Sequence, residues 1–244
     1  MGSKIIAANW KMNLSPQEAK RYFEEWVTYA HSTKVDVIFF VPAYCWQQAA
    51  EFSVAWGPQN VYCEEFGAYT GENSPKVAWD MGARWVLIGH SERRHLFGEG
   101  EELIRKKFYK TMEIGLKPVL CVGETWQQRE SGDWDRVLEN QLQSVLQGFD
   151  QVRGTLTEWV VAYEPVWAIG TGKVPSEGDI ERAHFKIKNV IEKRWGLPAI
   201  PVLYGGSVNV GNASTILKTA GVDGLLVGGA SLIPSQFYRI VQSS

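Results

Sequence analysis

The sequence is poor in the features that mark metal, redox, membrane or nucleic-acid chemistry. Its three cysteines, Cys45, Cys63 and Cys121, have neither metal-ligand spacing nor an even count. That argues against a zinc site or a disulfide framework and makes a reduced, cytoplasmic protein the expectation. No apolar run approaches the roughly 18 residues of a membrane-spanning helix. The apolar stretch in MGSKIIAANWK is cut by Asn9 and Lys11, so no signal peptide is expected. Neither sign of charge dominates: 25 Lys and Arg against 27 Asp and Glu leave a formal net charge of −2. Bulk attraction to nucleic acid or to an anionic membrane is thereby excluded, and any anionic ligand must be caught by a local site. Linkers rich in Pro, Gly or Ser, charge blocks and short repeats are missing too, so residues 1–244 are expected to form a single domain.

What is present is an alternation. Hydrophobic residues make up 45% of the chain, and they gather in short runs: IIAAN (5–9), VIFFV (37–41), SVAWG (53–57), WVLIG (85–89), PVLCV (118–122), WVVAY (159–163), PVLYG (201–205) and GLLVG (224–228). Nearly continuous apolar runs of this length are expected of parallel strands covered on both faces. Helix-length segments with one apolar stripe lie between most of them. Ala19, Phe23, Trp26, Val27 and Ala30 share one face, as do Ile180, Ala183, Ile187, Val190 and Ile191. Ser15-Pro16-Gln17-Glu18 and Ser176-Glu177-Gly178-Asp179 carry the cap-and-acid pattern of helix starts. Eight such units predict an α/β fold, a single (β/α)8 barrel of eight parallel strands ringed by helices. A doubly wound open sheet is the alternative, but it usually carries a glycine fingerprint after its first strand, where this chain has NWK.

In a parallel barrel the chemistry sits at the C-terminal ends of the strands. Those ends carry Asn9 and Lys11 after the first, His90 and Glu92 after the fourth, and Glu164 after the sixth. Gly205-Gly206-Ser207 follows the seventh and Gly228-Gly229-Ala230-Ser231 the eighth. One helix N-terminus favours an anion by only roughly 0.3–1 kcal/mol, so a phosphate needs several converging N–H groups. The two glycine-rich turns allow that approach in the loops where barrels usually bind phosphate. A carboxylate base with a hydrogen-bond donor aimed at a carbonyl suits proton abstraction beside that carbonyl, with Lys11 offsetting the charge of an enediolate. Neither metal-ligand spacing nor a nucleotide fingerprint is present, which favours chemistry without a cofactor.

Seven segments then carry a resemblance: NWKMN (9–13), GAYTGE (67–72), IGHSERR (88–94), CVGET (121–125), AYEPVWAIGTGK (162–173), LYGGSV (203–208) and VGGASL (227–232). Together, and in order, they resemble the triosephosphate isomerases over nearly the whole chain. The resemblance implies interconversion of dihydroxyacetone phosphate and D-glyceraldehyde 3-phosphate through an enediolate, without cofactor, in glycolysis and gluconeogenesis. Glu164 would be the base, His90 a neutral imidazole polarising the carbonyl, Lys11 the positive charge and Asn9 a donor to substrate oxygens. Gly170, Ser207, Gly228 and Gly229 match the family's phosphate donors, and Glu92 supports the network around Lys11. Cys121 is expected to be a packed thiol beside the site. Pro165, Val166, Trp167, Ala168, Ile169, Gly170, Thr171, Gly172 and Lys173 would form a lid, with Trp167, Ala168 and Ile169 as its apolar underside. Burial at the rim is expected to raise the basicity of Glu164. The segment 59–72 resembles a loop that inserts into a second subunit, with Thr70, Glu72 and Arg93 at the contact, which implies a homodimer. His184 is expected to be a structural histidine, and His31 and His95 to be solvated. The ten tryptophans other than Trp167 carry no functional assignment. The chain departs from the family pattern at Phe66, Asn73, Gly100 and Lys188; the last replaces an arginine with a residue that cannot form a bidentate pair.

Other assignments fare worse. An aldolase would need a Schiff-base lysine inside a strand, and a pentose-phosphate epimerase usually needs paired aspartates and a metal; neither pattern is present. A catalytically dead binding barrel would be expected to lack one of Asn9, Lys11, His90 or Glu164.

Overall fold

The structure, a computed structural model, describes residues 3–29, 35–149, 158–171, 173–197 and 200–244. Eight parallel strands run β1 (Ile5–Asn9), β2 (Asp36–Val41), β3 (Ala55–Pro58), β4 (Trp85–Ile88), β5 (Lys117–Val122), β6 (Val160–Tyr163), β7 (Val202–Tyr204) and β8 (Gly224–Val227). Their order in the sheet is β3-β2-β1-β8-β7-β6-β5-β4. The helices are α1 (Pro16–Tyr29), α2 (Trp46–Glu51), α3 (Pro75–Asp80), α4 (Ser91–His95), α5 (Glu101–Ile114), α6 (Trp126–Glu130), α7 (Trp134–Leu146), α8 (Glu177–Trp195), α9 (Ala213–Lys218) and α10 (Pro234–Gln242). This is a nearly closed barrel ringed by helices. At its last seam, between β3 and β4, the Arg84 N–H donates to the Trp56 carbonyl at 3.1 Å. Gly57 is required there: a Cβ on it would stand 2.0 Å from the Trp85 carbonyl oxygen.

Period-two alternation divides the apolar residues between two regions. Ile5, Ala7, Ile38, Phe40, Leu87, Val119, Ala162, Leu203 and Leu226 fill the barrel interior. Ile6, Ala8, Phe39, Val86, Leu120 and Val161 join the larger shell between strands and helices. Small Ala7 and Ala162 share this cluster with the large Ile38, Phe40 and Leu87, all buried, so the interior is packed rather than hollow.

Seven predicted strands coincide with observed ones to within a residue or so at each end. The third does not: SVAWG was expected at 53–57, and the strand is Ala55–Pro58. The Val54 N–H bonds the Phe52 carbonyl in a turn, so pairing begins later. On α1 the buried residues are Ala19, Tyr22, Phe23 and Trp26. Tyr22 thus takes the place expected for Val27, which is half-buried, while Ala30 and His31 lie outside the described residues. The α8 stripe is buried throughout as predicted. The Ser15–Glu18 reciprocal cap forms, and Ser176 caps α8 through the Asp179 N–H. Lys188 meets Asp223 through one contact at 2.6 Å.

His184 on α8 is fully buried, with Nδ1 3.2 Å from the Gly221 carbonyl and Nε2 without a hydrogen-bond partner. Burial holds its pKa down to about 4. A histidine depressed in the folded state binds fewer protons than its unfolded counterpart, so stability falls as pH drops from about 6.5 towards 4. The full difference corresponds to roughly 3 kcal/mol. Urea midpoints measured at pH 7, 5.5 and 4.5 should decline, and His184→Gln should flatten that decline. Parallel declines in both proteins would remove His184 as its source.

Candidate active site

The C-terminal ends of β1, β4 and β6 bring Asn9, Lys11, His90 and Glu164 onto one cavity of about 460 Å³, which the glycine-rich turns after β7 and β8 also line. Each strand places its polar group at its last residue or within two residues beyond it, so burial of the strand delivers that group to the rim. The Glu164 N–H pairs with the Val122 carbonyl at 2.8 Å, and the Gly205 N–H with the Tyr163 carbonyl at 2.8 Å.

Glu164 is nearly inaccessible, and both carboxylate oxygens are occupied. Oε1 lies 3.0 Å from His90 Nε2, and Oε2 accepts the Ser91 N–H at 2.8 Å. Burial alone would raise its pKa, but His90 and the Ser91 N–H outweigh burial and hold it below the ordinary glutamate value. The expected rise in basicity is therefore corrected for this arrangement, in which Glu164 is parked on hydrogen-bond donors. His90 caps α4 by accepting the Glu92 N–H at Nδ1, 3.3 Å away. An Nδ1 that accepts cannot carry a proton, so the proton sits on Nε2 and points at Glu164. With only five residues, α4 has a small dipole; the local N–H selects the tautomer. Burial disfavours the imidazolium, yet the Glu164 carboxylate beside it raises the ring's proton affinity more than burial lowers it.

Lys11 stands at φ 53°, a left-handed conformation uncommon for a residue with a Cβ. Two hydrogen bonds hold it there. Its N–H donates to Asn9 Oδ1 at 3.0 Å, and Gln59 Nε2 donates to its carbonyl at 2.9 Å. Its ammonium pairs with Glu92 at 2.6 Å. Cys121 is buried, and desolvation, reinforced by the Glu164 carboxylate, keeps its thiol protonated.

Beyond Glu164 the chain forms a 3₁₀ turn, Val166–Ala168, after Pro165. The Val166 N–H bonds the Glu124 carbonyl at 3.0 Å, and Ser207 Oγ donates to the Ala168 carbonyl. Ile169 and Gly170 line the cavity, but Trp167 does not. Its Nε1 donates to the buried Glu124 carboxylate at 3.0 Å, so Trp167 anchors the segment from outside instead of forming its underside. Glu124 also accepts from Tyr163 Oη at 3.1 Å. Thr171 Oγ1 links the Trp167 carbonyl to the Lys173 N–H. Gly172 lies outside the described residues.

A second, smaller cavity of about 250 Å³ adjoins the first and shares Asn9, Lys11 and His90 with it. Arg93 and the exposed Phe97 line it. Thr70 and Glu72 are exposed on the 59–73 segment, whose neck closes through the Tyr62 N–H and Asn73 carbonyl at 2.8 Å. Arg93 pairs with Glu99 at 2.6 Å. His95 is exposed.

Sequence reasoning missed Ser91, Gln59 and Glu124. Gln59 directly follows β3 and would have been read as a strand-end residue had the strand been placed correctly. Ser91 acts through its backbone N–H, which no side-chain pattern reveals. Glu124 lies within the CVGET segment, but its partners come from β6 and the segment after it.

The model of the family described as triosephosphate isomerase matches residues 4–244. Similar proteins described as triosephosphate isomerase include one from Bdellovibrio bacteriovorus, 45% identical over 241 residues, 97% of this chain and 98% of that one. Another, from Lawsonia intracellularis, is 43% identical over 98% of this chain and 97% of its own. One from Aquifex aeolicus is 40% identical over 98% and 99%.

Proposed function

The chain belongs to the triosephosphate isomerase family and interconverts dihydroxyacetone phosphate and D-glyceraldehyde 3-phosphate, and from that premise we propose how its residues divide the work. Glu164 is the base that carries a proton between the two substrate carbons. His90 donates its Nε2 proton towards the carbonyl oxygen, and Lys11 offsets the charge of the enediolate. The observation that carries this division is the convergence of Glu164 and His90 on one cavity, with the His90 tautomer set by the Glu92 N–H.

The parked carboxylate must leave Ser91 and His90 before it acts. Departure removes the interactions that lower its proton affinity, and burial then favours protonation, as abstraction requires. The same movement frees His90 Nε2–H and takes away the carboxylate that raised its proton affinity, so the imidazole works in its neutral form. Asn9 Oδ1 is occupied by the Lys11 N–H, which leaves Nδ2 as its donor to a substrate oxygen. Gly170, Ser207, Gly228 and Gly229 border the same cavity and supply N–H groups for the phosphate. Pro165 to Lys173 form the cover over it, and Glu92 and Cys121 support the site without touching substrate.

A homodimer through the 59–72 segment completes the proposal, with Thr70, Glu72 and Arg93 at the contact. Met12 (87% exposed), Leu96 (75%), Phe66 (69%) and Phe97 (66%) support it, because so much apolar surface on neighbouring segments is characteristic of an interface. No helix among the described residues is long and apolar enough to cross a membrane, and a cytoplasmic site of action fits the reduced cysteines.

A coupled isomerase assay at two protein concentrations, with sedimentation of the same samples, tests these points together. Turnover of both triose phosphates and a dimer at micromolar concentration are expected. Absence of turnover would overturn the assignment of these residues, and a monomer alone would overturn the dimer.

A further inference from the structure

Trp126 is 47% exposed, at the first position of a five-residue helix that has no buried residue. Its placement is nevertheless well defined. Thr125 and Gln128 form a complete capping box, with the Thr125 N–H on Gln128 Oε1 at 2.8 Å, which fixes the start of α6. The Trp126 indole meets both arms of the segment that covers the cavity. On one side its ring packs edge-on against Trp167, with centroids 5.4 Å apart and planes at 67°. On the other, the Lys173 ammonium stands over the ring, 5.5 Å from the centroid. Thr171 Oγ1 ties these arms to each other, accepting the Lys173 N–H at 3.2 Å and donating to the Trp167 carbonyl at 3.1 Å.

We propose that Trp126 is a positioning residue, a fixed latch that holds the cover in its resting position by gripping Trp167 and Lys173 together. This inference rests on the proposed role of residues 165–173 as the cover of the phosphate site. The latch contacts coexist with the parked Glu164, so they belong to the resting arrangement. Bringing the Gly170 N–H onto a bound phosphate carries Lys173 along, since Thr171 links the two arms, while Trp126 stays with α6. A contact made only at rest biases the equilibrium against closure by its own strength. Its removal therefore favours closure.

The test compares the parent protein with Trp126→Ala and Trp126→Phe. In calorimetric titration with 2-phosphoglycolate, loss of one aromatic pair and one exposed cation–π contact should tighten binding roughly three- to tenfold in Trp126→Ala. Turnover should fall together with KM, because opening becomes slower. Trp126→Phe keeps a ring for both partners and should bind like the parent. A separate arm uses trypsin on the unliganded proteins, where cleavage after Lys173 should quicken in Trp126→Ala and return to the parent rate in Trp126→Phe. Unchanged or weaker analogue binding, or unchanged cleavage, would overturn the latch. A parent that neither isomerises triose phosphates nor binds the analogue would overturn the reading of the site instead, and the tryptic arm would still decide the latch.

Discussion

Glu164→Asp should fold as the parent does and lose turnover on the order of 100-fold. The substitution withdraws the carboxylate by one methylene while leaving its charge, and a misplacement of about 1 Å can cost on the order of 100-fold in rate. The parent carboxylate spans two donors at once, His90 Nε2 at 3.0 Å and the Ser91 N–H at 2.8 Å. A shorter side chain cannot reach both from the same backbone position. The resting pKa of the carboxylate should therefore rise from its lowered value. Far-ultraviolet dichroism and the urea midpoint report the fold, and steady-state kinetics in both directions report the loss. Turnover equal to the parent's would eliminate Glu164 as the base.

A comparable loss is expected from Gly123→Ala, a position with no reacting group at all. Gly123 follows β5, and a Cβ there would stand 1.7 Å from the Glu164 carbonyl oxygen. Its peptide is also held on the far side by Gln141, which accepts its N–H at 2.8 Å and donates to its carbonyl at 3.1 Å. Neither backbone segment can yield without breaking ladder or side-chain bonds. Overpacking of this kind costs roughly 1–3 kcal/mol and occasionally more. The strand end that moves is the one carrying the base, so activity should fall by roughly the factor that 1 Å of displacement brings. Gly178→Ala is the control. On α8 its new Cβ would meet nothing closer than Arg182 at 3.8 Å, and it should leave turnover intact with unchanged or slightly higher stability. If Gly123→Ala matched the parent in both midpoint and turnover, the close approach would not constrain the base.

Much of the molecule follows from local pattern. Continuous apolar runs such as WVVAY specify strands covered on both sides, the α8 stripe specifies which face of that helix is buried, and Ser15 and Ser176 specify where helices begin. The position of the chemistry follows as well. A strand buried to its last residue leaves its next polar residue at the rim, and for β1, β4 and β6 those residues are Lys11, His90 and Glu164. These features depend on neighbours within a few residues, which is the range over which sequence periodicity carries information.

Tertiary structure decided the rest. Whether Glu164 is more or less basic than usual depends on which groups face it across the barrel. Burial, which sequence suggests, is outweighed by His90 and by the backbone N–H of Ser91 at the start of α4, 73 residues away in the chain. The tautomer of His90 depends on the direction of one N–H, and the unusual backbone of Lys11 on a glutamine from β3's end, 48 residues distant. Trp167 looks like part of an apolar underside until Glu124, from the loop after β5, and Trp126, from the start of α6, turn it outwards. Electrostatic and hydrogen-bond terms at short range are decided by ångström distances between segments remote in sequence, and only the closed barrel sets those distances.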